Sequence, residues 1–119
     1  MIEQVTIMFM SGVDDGSTLE LQPRHDGTVK TNQWILKVGR KDDNDLILRN
    51  DTFVSRYHAH LTWRDDGWWL EDLKSTNGTF LENEADIFSD ERVQNRVVPI
   101  ELGQMFRVGR TWLRIQKTG

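Results

Sequence analysis

Residues 57–73 read Tyr57-His58-Ala59-His60-Leu61-Thr62-Trp63, then Arg64-Asp65-Asp66-Gly67, then Trp68-Trp69-Leu70-Glu71-Asp72-Leu73. The first segment alternates as a strand does, with Tyr57, Ala59, Leu61 and Trp63 on one face and His58, His60 and Thr62 on the other. The second contains an Asp-Gly turn, and the third returns as a strand. Of the adjacent tryptophans, one then faces the core and the other faces the outside or a second sheet. A hairpin about Asp65-Asp66-Gly67 sends the two strands in opposite directions. Ser55, just before the first, and Thr76-Asn77, just after the second, therefore leave the sheet at the same end.

Both flanks are turns of one chemical kind. Val54-Ser55-Arg56 leads into the hairpin, and Ser75-Thr76-Asn77-Gly78 leads from it into Thr79-Phe80. Gly39-Arg40 lies upstream. Together they offer hydroxyls, an amide and two guanidinium groups, with no nucleophile paired to a base. Arg40 and Arg56 can give charge-assisted, fork-shaped hydrogen bonds to an anion. Ser55 and Thr76 add hydroxyl donors, and Asn77 carries both donors and an acceptor that suit a peptide backbone. Strand parity does not bring Arg40 to the other two loops, because Leu46-Ile47-Leu48 is short enough to cross between sheets.

The rest of the chain is strand and turn. Residues 4–10 alternate, with Val5, Ile7 and Phe9 on one face, and Thr18-Leu19-Glu20-Leu21 reads as a second strand. Asp26-Gly27 is a hairpin signal, and Trp34-Ile35-Leu36-Lys37-Val38 runs into Gly39. After a polar stretch at 82–96, short strands are expected within 97–102, 104–108 and 111–116. No helical period persists, and no repeat appears. Many short strands with Gly, Asp and Asn turns predict an antiparallel β-sandwich or barrel.

Composition removes several functions. At 119 residues the chain is expected to be a single domain. Its net charge is −4, the wrong sign for a general nucleic-acid binder, so none is expected as a partner. With no cysteine there is no disulfide, thiolate zinc site or cysteine nucleophile. Ile7-Met8-Phe9-Met10 is too short for a signal or a membrane span, so a cytoplasmic chain without membrane partners is expected. His58 and His60 are two apart but lack a third ligand, and Asp42, Asp43 and Asp45 miss the spacing of a calcium loop. No metal and no cofactor are expected. Acidic residues are plentiful, yet no pair sits in a pocket motif of the kind a glycosidase needs, and an enzyme is not expected.

The ordered set Val38-Gly39-Arg40, Asn44-Asp45-Leu46-Ile47-Leu48, Val54-Ser55-Arg56-Tyr57-His58-Ala59, Leu70-Glu71-Asp72-Leu73, Ser75-Thr76-Asn77-Gly78-Thr79-Phe80 and Leu102-Gly103…Phe106-Arg107-Val108-Gly109 resembles the forkhead-associated (FHA) domain over about residues 34–115. The resemblance implies an antiparallel sandwich of about eleven strands, with residues 1–33 as N-terminal strands and 82–96 as a long polar loop or hairpin. It also implies binding of phosphothreonine peptides by loops at one end, with Arg40 joining the other two loops. Carried over by position, Arg40 and Ser55 bind the phosphate and Arg56 flanks it or the peptide. Thr76 contacts the phosphothreonine region, and Asn77 the peptide backbone. Gly39, His58 and Gly78 support the site, His58 by tying the loops together. Phe53 lies where the family often reads the third residue after the phosphothreonine, and an apolar residue there disfavours an acidic choice. The implied function is phosphorylation-dependent protein–protein interaction in signalling, with the chain a monomer. The alternative is an FHA-type scaffold that meets its partner through a sheet face or the 82–96 loop, independently of phosphate.

Overall fold

The computed structural model describes residues 1–83, 85 and 90–119. Among them are twelve strands and no helix: β1 Val5–Phe9, β2 Thr18–Leu21, β3 Thr28–Lys30, β4 Gln33–Gly39, β5 Leu46–Ile47, β6 Ala59–Arg64, β7 Gly67–Asp72, β8 Thr79–Leu81, β9 Glu91–Val93, β10 Val97–Ile100, β11 Met105–Val108 and β12 Thr111–Thr118. They form two sheets, ordered β2-β1-β12-β11-β8-β9 and β10-β7-β6-β4-β3. All pairings are antiparallel except the short β5, which lies parallel to β4. This is the antiparallel β-sandwich expected from the turn spacing.

Alternation fills the core from both sheets. Val5, Ile7, Phe106, Val108, Leu113 and Ile115 point inward from the first, and Trp34, Leu36, Val38, Leu61, Trp68 and Leu70 from the second; all are buried. Trp34 and Trp63 pack on Trp68, with ring centroids 5.8 and 5.3 Å away. Trp68 is the core member of its pair, while Trp69 faces out beneath Arg64, 4.6 Å from the ring centroid. Such aromatic and apolar burial is the main favourable contribution to folding a sandwich of this size.

Three expectations need correction. The β6–β7 turn is centred on Asp65-Asp66, with φ of 50° and 59°, and Gly67 pairs with Arg64 as the first residue of β7. Two left-handed residues in a two-residue turn match the right-handed strand twist, and Asp tolerates that conformation. Asp26-Gly27 closes no hairpin, because β2 pairs with β1 while β3 pairs with β4 in the other sheet. There the chain crosses between sheets, pinned by the Gly27 N–H donating to Asp45 Oδ1 and the Trp34 indole donating to the Asp26 carbonyl. The hairpin that follows turns at Thr31-Asn32, where Asn32 has φ 63°. Finally, the alternation of 57–63 begins only at Ala59: Tyr57 is exposed and His58 is fully buried.

In the polar 82–96 stretch, β9 pairs antiparallel with β8. Residues 84 and 86–89, part of the loop or hairpin expected there, lie outside the described residues. Among the described residues no helix is long and apolar enough to cross a membrane.

Candidate functional site

The β6–β7 hairpin brings its two flanks to one end, and the loops touch there. The Thr76 N–H donates to Ser55 Oγ at 3.2 Å, and Asn77 Nδ2 donates to the Phe53 carbonyl at 2.9 Å. The third loop arrives through β4. Its ladder with the 54–58 segment continues past the sheet: the His58 N–H donates to the Val38 carbonyl and the Arg40 N–H to the Ser55 carbonyl. Arg40 Nε also donates to the Val54 carbonyl at 3.0 Å. Arg40, Ser55, Arg56, Thr76 and Asn77 therefore occupy three adjoining loops, and all except the half-buried Ser55 are exposed.

Gly39 is required by proximity. A Cβ there would stand 2.2 Å from the Arg56 carbonyl oxygen and 2.7 Å from Asn44 Nδ2. Asn44 is buried and donates to both the Lys41 and Arg56 carbonyls at 2.8 Å, stitching the β4–β5 loop to the 54–58 loop. Gly78 is required by conformation as well as space: its φ is 89°, and a Cβ would meet the Phe80 ring at 2.9 Å.

His58 connects the two flanks of the hairpin, the 54–58 loop and the 75–78 loop. Nδ1 accepts the Ser55 N–H at 3.0 Å, so the ring proton sits on Nε2 and donates to the Gly78 carbonyl at 2.9 Å. Burial pushes the imidazole pKa below its usual 6.5, against the opposing pull of the Gly78 carbonyl, Asp72 and Asp51. The neutral ring is thus the native form, with each nitrogen committed to one loop.

Carboxylates complete the bracing. Asp72 Oδ1 accepts from the Ser75 and Thr79 hydroxyls at 2.6 and 2.7 Å, and Oδ2 accepts the Ser75 N–H at 3.0 Å. Ser75 Oγ in turn accepts the Gly78 N–H at 2.9 Å. Asp51 accepts the N–H of Phe53 on one oxygen, and the Arg110 N–H and the Thr111 hydroxyl on the other. Asn44, Asp51, Asp72 and Ser75 are absent from the expected site residues. Their local signal is the Asp-x-Phe and Asp-x-x-Ser spacing of side chains that bond backbone two or three residues on.

An open surface recess of about 520 Å³ is lined by Arg40, Lys41, Asp42, Asp43 and Arg56. Its acids do not pair with the site arginines. Asp42 contacts Arg49 at 3.1 Å, and Asp43 accepts the Tyr57 hydroxyl at 2.7 Å. That bond holds the Asp43 carboxyl below its usual range and pushes the Tyr57 phenol up. A second recess of about 230 Å³ lies beside Phe53, whose ring carries the Arg110 guanidinium 3.7 Å from its centroid. The loop end therefore presents cations, hydroxyls and an amide on braced backbone, and suits an anionic group carried on an extended chain.

The family model of the FHA domain matches residues 36–109. The FHA domain-containing protein FhaB of Mycolicibacterium smegmatis is 36% identical over 85 residues, covering 71% of this chain and 48% of that protein. FhaB of Mycobacterium tuberculosis is 35% identical over 79 residues, covering 66% and 45%. The chain thus spans about half the length of these relatives. Among solved structures, an FHA domain from a structural and functional analysis of phosphothreonine-dependent FHA domain interactions superposes with a TM-score of 0.68 at 28% identity, covering 96% of each chain. The FhaA FHA domain complexed with the intracellular domain of Rv3910 gives 0.67 at 28% identity, covering 94% of this chain and 99% of that one. The chain belongs to the FHA domain family, whose members are binding modules.

Proposed function

We propose that the chain is a phosphothreonine-dependent peptide-binding module that joins phosphorylated partner proteins in signalling. In this reading Arg40 and Ser55 hold the phosphate, Arg56 flanks it, Thr76 contacts the phosphothreonine region and Asn77 grips the peptide backbone. Gly39, His58 and Gly78 hold the loops in place, and Phe53 reads a neighbouring side chain. Residues 1–119 act as one binding unit, a cytoplasmic monomer without catalytic activity. The observation that carries the reading is the hydrogen-bonded junction of three loops: Arg40 to Ser55, Thr76 to Ser55 and Asn77 to Phe53. Ser55 Oγ accepts from Thr76, so its own proton is available to a phosphate oxygen. Asn77 uses one Nδ2 proton on Phe53, so its Oδ1 is available to a peptide N–H.

Phosphothreonine carries a charge of about −1.5 to −2 at neutral pH. Each charge-assisted bond contributes about 1.5–3 kcal/mol. Losing two or three with the phosphate lowers affinity by about two to six decades. An oriented phosphothreonine-peptide library followed by calorimetry tests this. Arg40→Ala is expected to lose at least about a hundredfold in affinity while staying folded, its stability lowered by about 1 kcal/mol with the lost bond to the Val54 carbonyl; equal affinity in the variant overturns the assignment.

A further inference from the structure

The outward side of the first sheet carries a stack that the loop site does not use. Across β9, β8, β11 and β12, register pairs Arg92 with Phe80, Phe80 with Arg107 and Arg107 with Trp112. The guanidinium of Arg92 lies 5.7 Å from the Phe80 centroid. That of Arg107 lies 4.1 Å from Phe80 and 5.6 Å from Trp112. Cation and aromatic alternate, each arginine held by a ring face. Arg107 is fixed further by donating to the Gly109 carbonyl at 2.7 Å.

Charge on this sheet opposes that of the whole protein. Its six strands carry four cations, Arg92, Arg107, Arg114 and Lys117, on a chain of net charge −4. They carry two carboxylates: Glu20 on the far edge strand, and Glu91, which is paired with Arg96. The stack is also continuous with the loop site. A Cβ on Gly78 would meet the Arg92 guanidinium carbon at 3.2 Å as well as the Phe80 ring. Gly109, which accepts from Arg107, packs against Phe53 and Val54 in the same way.

We propose that this stack is a second contact surface, which takes an acidic segment of the same partner that presents the phosphothreonine. The proposal rests on the phosphopeptide reading and extends it. From β9 to β12 the stack crosses three strand spacings, about 14 Å, the reach of about four extended residues. Carboxylates would meet the arginines, and the intervening rings would cover the segment's apolar atoms. A protein segment is favoured over nucleic acid because the cations form one short row on an acidic body.

The test compares three peptides by fluorescence anisotropy: a short phosphothreonine peptide, and the same peptide with a run of Glu and Asp added on either side. One extended peptide is expected to bind about threefold to tenfold tighter than the short one at low salt, the gain shrinking as salt rises. Arg92→Glu, at an exposed position, is expected to erase that gain while changing the short peptide's affinity by less than the gain itself; Arg107→Gln checks the same row. No gain for either extension overturns the proposal while the short peptide still reports on the phosphate site. A gain that survives Arg92→Glu overturns it as well. Binding of a single-stranded oligonucleotide that Arg92→Glu abolishes, without any gain from acidic extensions, replaces it with a nucleic-acid face.

Discussion

The two ends of the β6–β7 hairpin are built by different means. At one end Asp65 and Asp66 reverse the chain in two residues of left-handed backbone, flanked directly by the ladder pair Arg64 and Gly67. At the other, β6 and β7 part into loops held by side chains: His58 to Ser55 and Gly78, Asp72 to Ser75 and Thr79, and Asn77 to Phe53. The first end is an economical reversal with nothing to present. The second holds polar groups apart from their own strands, and buried polar partners fix them there. Local turn chemistry suffices for a reversal, whereas a binding end needs bonds between residues far apart in sequence.

Two glycines expose the contrast most sharply. A Cβ at Gly39 would strike the Arg56 carbonyl oxygen, while at Gly67 it would meet nothing within 4 Å. Gly39→Ala is expected to lose about 4 kcal/mol or fail to fold, because backbone rather than a flexible side chain must move. Gly67→Ala is expected to change stability by less than about 1 kcal/mol. Chemical denaturation of both variants checks the pair, and equal losses would erase the distinction. His58→Ala comes next. It orphans the Ser55 N–H and the Gly78 carbonyl, at a cost of about 2–4 kcal/mol, and phosphopeptide affinity should fall with it.

The same residue makes the loop end sensitive to acid. Burial keeps the native His58 pKa below 6.5, so as pH falls the unfolded chain takes up the proton first. Stability from the neutral ring is fully present above about 6.5 and is lost as pH drops toward the lower native value. His60 shifts in the same direction, chiefly by burial, so melting curves of His60→Gln against pH isolate the His58 contribution. A flat profile in that variant would contradict the account.

Smaller effects separate the ends by kind. Asn77→Ala is expected to weaken phosphopeptide binding about tenfold, one hydrogen bond, with stability changed by under about 1 kcal/mol. Replacing Asp65-Asp66 with Asn-Gly should do the reverse, raising stability by about 0.5 kcal/mol and leaving binding untouched. Calorimetry and denaturation on the two variants check both halves.

The sandwich was legible because alternation and turn residues are local signals, and Ser55 and Thr76-Asn77 were placed together by hairpin direction alone. Arg40 reached the site only through resemblance; physically it depends on the ladder between β4 and the 54–58 segment extending beyond the sheet. Asp26-Gly27 misled because a left-handed glycine serves a crossing between sheets as well as a hairpin, and the difference lies in Asp45, eighteen residues away. His58 inverted the expected faces because its two loop bonds are available only inward, and no period in the sequence encodes them. For Asp51 the long-range half of the bracing is set by topology, since Arg110 and Thr111 lie 59 and 60 residues away, whereas Asp72 bonds Ser75 and Thr79 at three and seven residues and is a local signal.

The Ser55–Thr76 and Asn77–Phe53 bonds are made entirely by the chain's own groups, and this bears on rates. A peptide meeting loops already in place waits for no ordering step, so association should fall in the ordinary range of about 10⁵–10⁷ M⁻¹ s⁻¹. Stopped-flow with phosphorylated and unphosphorylated peptides should then show similar on-rates and widely different residence times. The phosphate would act as a latch on departure rather than as a key for entry.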